Sequence, residues 1–309
     1  METIISPIDK EVMVKELKQE FFIRKTNNGS NEIYIFDAHQ CPNMMKEIGR
    51  LREITFRDAG GGTGKSIDID DFDVAEIPFK QLVVWDPEDK QITGGYRFIE
   101  GKYLSDGSRE GTVSSPTARL FKFSETFVRD YLPWSIELGR SFVQPKYQPT
   151  YDIRKGMYSL DNLWDGLGAI VKDHPEVKYL FGKITMYSQY DRLARDLVLF
   201  FMQKHFPDEK NLMRPRDPLK LETNEKILRN IFTGYNYEED YKILVNQVRQ
   251  LHENVPPLVN AYMNLSNTMR SFGTSLNPHF GNVEETGIIV TIADIYDFKK
   301  DRHISTYKK

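Results

Sequence analysis

Cysteine is nearly absent from this chain of 309 residues, where Cys41 stands alone. One thiol excludes an internal disulfide and any zinc site built on several thiolates. Histidine is scarce as well: the six lie at 39, 174, 205, 252, 279 and 303, with no His-Glu-x-x-His and no close pair. No metal site is readable from them. Long apolar runs are missing too, since the longest, LVLFFM at 197–202, falls far below the ~20 residues a membrane span requires. The opening METIISPIDKEV lacks the basic and apolar regions of a signal peptide, so a cytoplasmic location is expected. Charge of one sign is also lacking. With 42 basic and 45 acidic residues the net charge is −3, which gives no general pull toward nucleic acid. Local basic patches leave peripheral membrane contact open.

What is present is enough chain for one large domain with a substantial extension. Apolar spacing predicts a helix from Asp9 toward Lys25, a strand in EIYIFDA (32–38) and a second helix from Pro42 to Asp58. QLVVWD (81–86) and QITGGYRFI (91–99) read as two strands joined by PEDK, good hairpin punctuation. A helix near Leu120 to Arg129, a strand in PWSIELGRSFVQP, a helix from Ser159 to Lys172, a strand in VKYLFGKITM and a helix from Gln189 to His205 follow. That order predicts an α/β domain over 1–206 with a mixed central sheet flanked by helices. Breaker-rich residues 207–218 then lead into an extension, 207–309, expected to be helical to about Phe272 and to end in a late strand, 286–295.

Residues 59–66, AGGGTGKS, fit a phosphate-binding loop except for their first position. The context does not fit. Such a loop needs a strand before it and a helix N-terminus after it, whereas a helix precedes these glycines and the carboxylate-rich IDIDDFDVAEIP follows. The stretch reads instead as a mobile loop able to close over a substrate, with Lys65 ordinarily solvated. An EF-hand in DIDDFD is excluded because Phe72 stands at its fifth position and Phe79 at its twelfth.

The most informative charges lie inside WSIELGRSFV (134–143), where Ile136, Leu138, Phe142 and Val143 mark a buried strand. Buried charges need a reason. Glu137 and Arg140 point to opposite faces of a regular strand, and a bulge at Gly139 brings them to one face while freeing backbone N–H groups. Taken alone, they are better explained as a structural ion pair.

Further motifs change that balance: Arg52 and Phe56 on the second helix; Asp68, Asp70 and Asp73 in the acidic loop; Trp85 closing one hairpin strand; and Arg97 four residues into GGYRF. In this order they resemble the acyl-homoserine-lactone synthases, and more closely the ornithine-lipid N-acyltransferases described as hemolysin-like. Gly139 to Tyr147 (GRSFVQPKY), Leu163 with Trp164, and PPL…AY at Pro256 to Tyr262 extend the resemblance, which covers roughly 35–295. It implies the GNAT fold, a mixed sheet with flanking helices, no tightly bound cofactor, and transfer of a 3-hydroxyacyl chain from the phosphopantetheine of an acyl carrier protein to ornithine or glycine. Glu137 is then the candidate base, Gly139 and Arg140 its partners in catalysis, and Arg52, Phe56, Asp68, Asp70, Asp73, Trp85 and Arg97 the acceptor-binding set. Ser141, Val143, Lys146, Arg154, Lys155 and Gly156 are expected along the donor.

Acyl-CoA is the other donor the resemblance allows. Members using it carry a second glycine in the loop after the bulged strand, and QPTYDIRKGMYSL has only Gly156. A signal synthase, an acetyltransferase and a non-catalytic acyl-binding scaffold remain open. No histidine is followed by Asp five residues later, as an ester-forming His-x-x-x-x-Asp site requires, so a separate O-acyltransferase is expected to act on the product.

Overall fold

The computed structural model describes residues 1–105 and 113–308. The chain opens with helix α1 (Lys10–Glu16), strands β1 (Phe22–Lys25) and β2 (Glu32–Phe36), and helix α2 (Pro42–Asp58). A hairpin of β3 (Lys80–Asp86) and β4 (Gln91–Glu100) follows, then a short strand β5 (Phe121–Phe123) and the central strand β6 (Ser135–Val143). Helices α3 (Ile153–Gly156) and α4 (Ser159–Asp173) lead to β7 (Tyr179–Met186), and α5 (Arg192–His205) leads to β8 (Met213–Pro215). The last third holds α6 (Glu225–Ile231), α7 (Tyr237–Gln250), α8 (Pro257–Met263), β9 (Arg270–Asn277), β10 (Val283–Thr291) and α9 (Asp297–His303).

Eight strands form one sheet in the order β1-β2-β3-β4-β6-β7-β10-β9, and β5 pairs separately with β8. Every pairing in the large sheet is antiparallel except β6 with β7. A parallel pair needs a crossover, which α3 and α4 supply. The mixed α/β architecture expected from the sequence is therefore present.

Strand alternation sorts the core. Leu82, Val84, Tyr96, Ile136, Leu138, Leu180 and Ile288 face α4 and α5 in one apolar cluster. Val83, Trp85 and Phe142 face α2 in a second. The N-terminus of α2, with Pro42 in its first turn, is fixed by the Glu16 carboxylate, which accepts the Asn43 and Met44 N–H groups at 3.0 and 2.8 Å. That anchors the helix carrying Arg52 and Phe56.

Three elements depart from expectation. The first helix stops at Glu16, and Phe22–Lys25 pairs with β2 as an edge strand, because Phe-Ile suits the pleat and finds a partner there. The helical stretch expected to run to about Phe272 stops earlier, and Arg270–Asn277 pairs with β10 as a hairpin, so the extension adds two strands to the sheet instead of one. Phe121–Phe123 is a strand, with only a short helical stretch at Phe127–Tyr131. Among the described residues no helix is long and apolar enough to cross a membrane.

Candidate active site

The sheet splits at its centre. β6 pairs with β7 only over Ser135–Leu138 against Tyr179–Gly182. Beyond that point β7 continues to Met186 alongside β10, while β6 continues to Val143 alongside β4. The two strands diverge like the arms of a V, and among the described residues the edge of β6 facing the gap has no strand partner. Gly182 sits at the fork, where a Cβ would lie 2.3 Å from the Leu138 carbonyl oxygen, so only glycine allows the strands to meet there.

On the diverging arm the β4–β6 register slips, with Gly95 opposite Phe142 and Arg97 opposite Gly139. Tyr96 thus faces both Arg140 and Ser141, and Arg140 takes a φ of 48°, unusual for a residue with a side chain. This is the bulge expected at Gly139, one residue further on. It puts Arg140 on the α2 side of the sheet, its guanidinium 4.2 Å above the Phe280 ring. Glu137 points to that side as well, opposite Ile99, which belongs to the apolar cluster around Phe79 and Phe121.

A cavity of about 750 Å³ fills the gap. Its lining comes from both faces of the sheet: Tyr96, Leu180, Ile184 and Ile288 from the α4 side, Phe56, Phe280, Lys183 and Glu285 from the other. The cavity therefore passes through the sheet.

Glu137 is 1 % exposed and lines it. Its Oε1 accepts the Thr117 N–H at 3.0 Å and the Thr117 hydroxyl at 2.6 Å, while Oε2 is buried without a hydrogen bond of proper geometry. Burial pushes the carboxyl above its usual range, against the opposing pull of Thr117, of the Lys183 ammonium and of Ser115. Lys183 donates to the Pro116 carbonyl at 2.9 Å and pairs with Glu285 at 3.0 Å. Tyr187, also on the wall, has its hydroxyl pushed up to about 12, chiefly by burial and further by Glu285. A buried carboxylate with one oxygen lacking a well-formed hydrogen bond, beside a backbone edge with no strand partner among the described residues, can take a proton from a nucleophile while N–H groups meet a developing oxyanion.

The arginine and aspartate motifs meet in one buried network. Asp73 accepts from Arg52 at 3.2 Å and from Arg97 at 3.0 Å; Asp70 takes two further bonds from Arg97 at 2.7 and 2.9 Å. Asp68 pairs with Arg140 through both carboxylate oxygens, at 2.8 and 3.1 Å. Arg52 is fully buried, donates also to Gln81 at 2.5 Å and lies off the cavity wall. Arg97 reaches the wall with its terminal nitrogens committed to Asp70 and Asp73. Of the three arginines, Arg140 alone combines a place on the wall with a terminal nitrogen, Nη1, that has no partner among the described residues.

Phe56, Gly139, Ser141, Val143 and Gly156 line the cavity as placed by the sequence motifs. Of the other members of the acceptor set only Arg97 reaches it. The three aspartates serve the arginines, and Trp85 is packed among Phe36, Val83 and Phe142 in the α2-side core, because its position on β3 faces the helix. In the donor set, Lys146 and Arg154 are exposed beyond the wall and Lys155 pairs with Asp89. Gly156 packs flush on the chain before it, where a Cβ would stand 2.3 Å from the Pro149 nitrogen.

The AGGGTGKS loop is held, not loose. The Glu53 carboxylate accepts the Thr63 and Gly64 N–H groups at 3.0 and 2.8 Å and the Thr63 hydroxyl at 2.7 Å, occupying the place a phosphate would take. Arg57 clamps Glu53 at 2.7 Å, and Ser66 is tied to Glu2. Thr117, Lys183, Tyr187 and Glu285 were missed in the sequence. The one available signal was Gly182-Lys183, a glycine and a charge interrupting an apolar strand.

A cluster of possible metal ligands, Glu100, His174 and Glu176, lies away from the cavity at the surface, its ligand atoms within 4.8 Å of one another. Lys102 already pairs with Glu100 there at 2.5 Å.

Residues 51–154 match the model of the GNAT acetyltransferase domain. The whole chain is 53 % identical, over 309 residues and 94 % of the relative's length, to a glycine N(alpha)-acyltransferase of Phocaeicola vulgatus. It is 51 % identical over 307 residues, 99 % of this chain and 91 % of the relative, to a glycine N(alpha)-acyltransferase of Bacteroides thetaiotaomicron. No solved structure matches.

Proposed function

The chain belongs to the GNAT N-acyltransferases, and from that premise we propose that it moves a long, 3-hydroxylated acyl chain from a carrier-protein thioester to the amino group of glycine. Glycine, of the two acceptors the motifs allow, is favoured by the activity of both relatives. The observation that carries the mechanism is Glu137, a buried carboxyl with a raised pKa and one oxygen free of a well-formed hydrogen bond, at the fork of a split sheet.

Glycine enters as an ammonium and must lose a proton before it can attack. Glu137 takes that proton, directly or through a water, and the freed nitrogen attacks the thioester carbonyl. A C–N bond forms, and the oxyanion is met by N–H groups on the unpaired edge of β6. The C–S bond then breaks. Tyr187, kept protonated by burial, supplies the proton to the leaving sulfur and regains one from the attacking nitrogen, which sheds its second proton as the amide forms. Arg140 holds the acceptor carboxylate with Nη1, while Asp68 fixes the guanidinium plane from behind and Arg52, Arg97, Asp70 and Asp73 hold the site in shape. The acyl chain lies on the apolar α4 side, against Leu180, Ile184, Ile288 and Tyr262.

Two features support a carrier protein over coenzyme A: the absence of a second glycine in the loop after β6, and the exposed Lys146 and Arg154 beside the mouth, which suit an acidic partner. The product, an N-acyl amino acid with a free hydroxyl, is a precursor for an aminolipid.

The test gives the purified chain glycine or ornithine, with hydroxyacyl-carrier protein or hydroxyacyl-CoA, and identifies products by mass spectrometry. N-acylglycine formed faster from the carrier protein is expected. Preferential acylation of ornithine would overturn the acceptor, and faster transfer from coenzyme A the donor.

A further inference from the structure

The glycine loop that mimics a phosphate site has no part in the reaction as derived, yet its backbone is placed with little tolerance. A Cβ on Gly60 would stand 1.9 Å from the Gln189 Oε1, and one on Gly61 3.0 Å from a ring carbon of Tyr187 and 3.1 Å from Val283. One on Gly281, where φ is 74°, would stand 2.8 Å from the Gly61 Cα. The loop thus lies flush against the end of β7 and against the turn at 278–281 that joins β9 to β10. Asp58 and Ala59, at its start, reach the cavity wall.

The ring carried by that turn is Phe280. It is 4 % exposed, stacks beneath Arg140 and meets the Phe56 ring edge-on at 5.1 Å and 67°. Phe56, Tyr187 and Phe280 therefore enclose the acceptor end of the cavity, backed by the Gly60–Gly61 backbone. An amino acid whose carboxylate meets Arg140 is brought close to the Phe280 ring, which stacks on the same guanidinium and lines the same cavity.

We infer that Phe280, pressed into place by the glycine loop, is a specificity-determining residue that restricts the acceptor to an amino acid without a side chain. The inference rests on glycine acylation as proposed above. In a packed apolar wall one extra methyl group costs roughly 10- to 200-fold in kcat/KM. The wall replaces a chemical test of glycine, which offers no side chain to recognise, by a test of volume.

The experiment compares kcat/KM for glycine, alanine and serine in the unaltered chain and in Phe280→Ala, Phe280→Leu and Gly61→Ala, with thermal melting as the control for folding. The unaltered chain is expected to disfavour alanine at least tenfold. Phe280→Leu and Phe280→Ala should raise the alanine-to-glycine ratio at least tenfold while still acylating glycine. Gly61→Ala, which crowds Tyr187 inward, should raise KM for glycine without raising that ratio. Phe280→Leu, the milder change, keeps the test available if Phe280→Ala does not fold. Phe280 variants that melt normally, acylate glycine and leave the ratio unchanged would overturn the inference, as would equal use of alanine by the unaltered chain. An unaltered chain that leaves glycine unacylated but accepts another amino acid would overturn the reading beneath it instead.

Discussion

At the scale of single residues, two buried carboxyls with opposite shifts make opposite predictions. Burial raises Glu137, so the native state keeps a proton that the unfolded chain releases above its ordinary value of 4.5. Stability from this group therefore falls as pH rises through that window, and catalysis by its basic form rises with pH. Glu137→Gln, neutral at every pH and still able to accept the Thr117 bonds, is expected to melt no lower than the unaltered chain at pH 7 while losing ~10²-fold or more in turnover. Melting curves and steady-state rates check both; native turnover would remove Glu137 from the chemistry. Asp73 has the reverse sign. Burial alone would raise it, but Arg97 and Arg52 outweigh burial and hold it well below its ordinary 3.8, so its contribution is present above that value and is lost as pH falls toward the native one. Asp73→Asn, which leaves two buried guanidiniums underpaired, should cost about 3–5 kcal/mol in urea unfolding at neutral pH. Glu137 and Arg140 were legible in the sequence because charge inside an apolar strand is conspicuous. The fate of Arg52 and Arg97 was not, since no spacing tells whether an arginine meets a ligand or a carboxylate of its own chain.

At the scale of elements, the fork between β6 and β7 predicts its own weak point. Gly182→Ala places a methyl group against the Leu138 carbonyl, which must move or lose the parallel pairing. A loss of about 1–3 kcal/mol is expected. Because the displaced carbonyl follows Glu137 by one residue, turnover at a temperature where the variant is fully folded should also fall, which circular dichroism and rate measurements together can separate. The elements most legible from sequence were those carrying their own signals. Helix α2 runs over Pro42–Asp58 as its period predicted, and the β3–β4 hairpin turns at PEDK, where the Asp86 carboxylate accepts the Glu88 and Asp89 N–H groups. β1 and β9 were not legible, because both are outer strands defined by the partner they pair with, and the single phenylalanine in each also fits a helical period.

At the scale of the whole molecule, topology brings together histidine–aspartate pairs that no local spacing reveals: His205 with Asp240 and His303 with Asp165, each at 2.8 Å. Neither lines the cavity. The first ties α5 to α7, and the second fastens the C-terminal helix to α4. The chain given a hydroxyacyl donor and its amino acid is therefore expected to make the monoacyl amide alone, leaving the hydroxyl for a separate O-acyltransferase; chromatography of a purified reaction would show a diacyl product if this is wrong. The passage of the cavity through the sheet has a kinetic consequence as well. A compartment with two doors lets a greasy tenant settle by one while small visitors come and go by the other. Both reactants can be bound at once, so initial-rate plots should intersect instead of running parallel, and because neither blocks the other's way in, a non-reactive thioester mimic should leave glycine free to exchange.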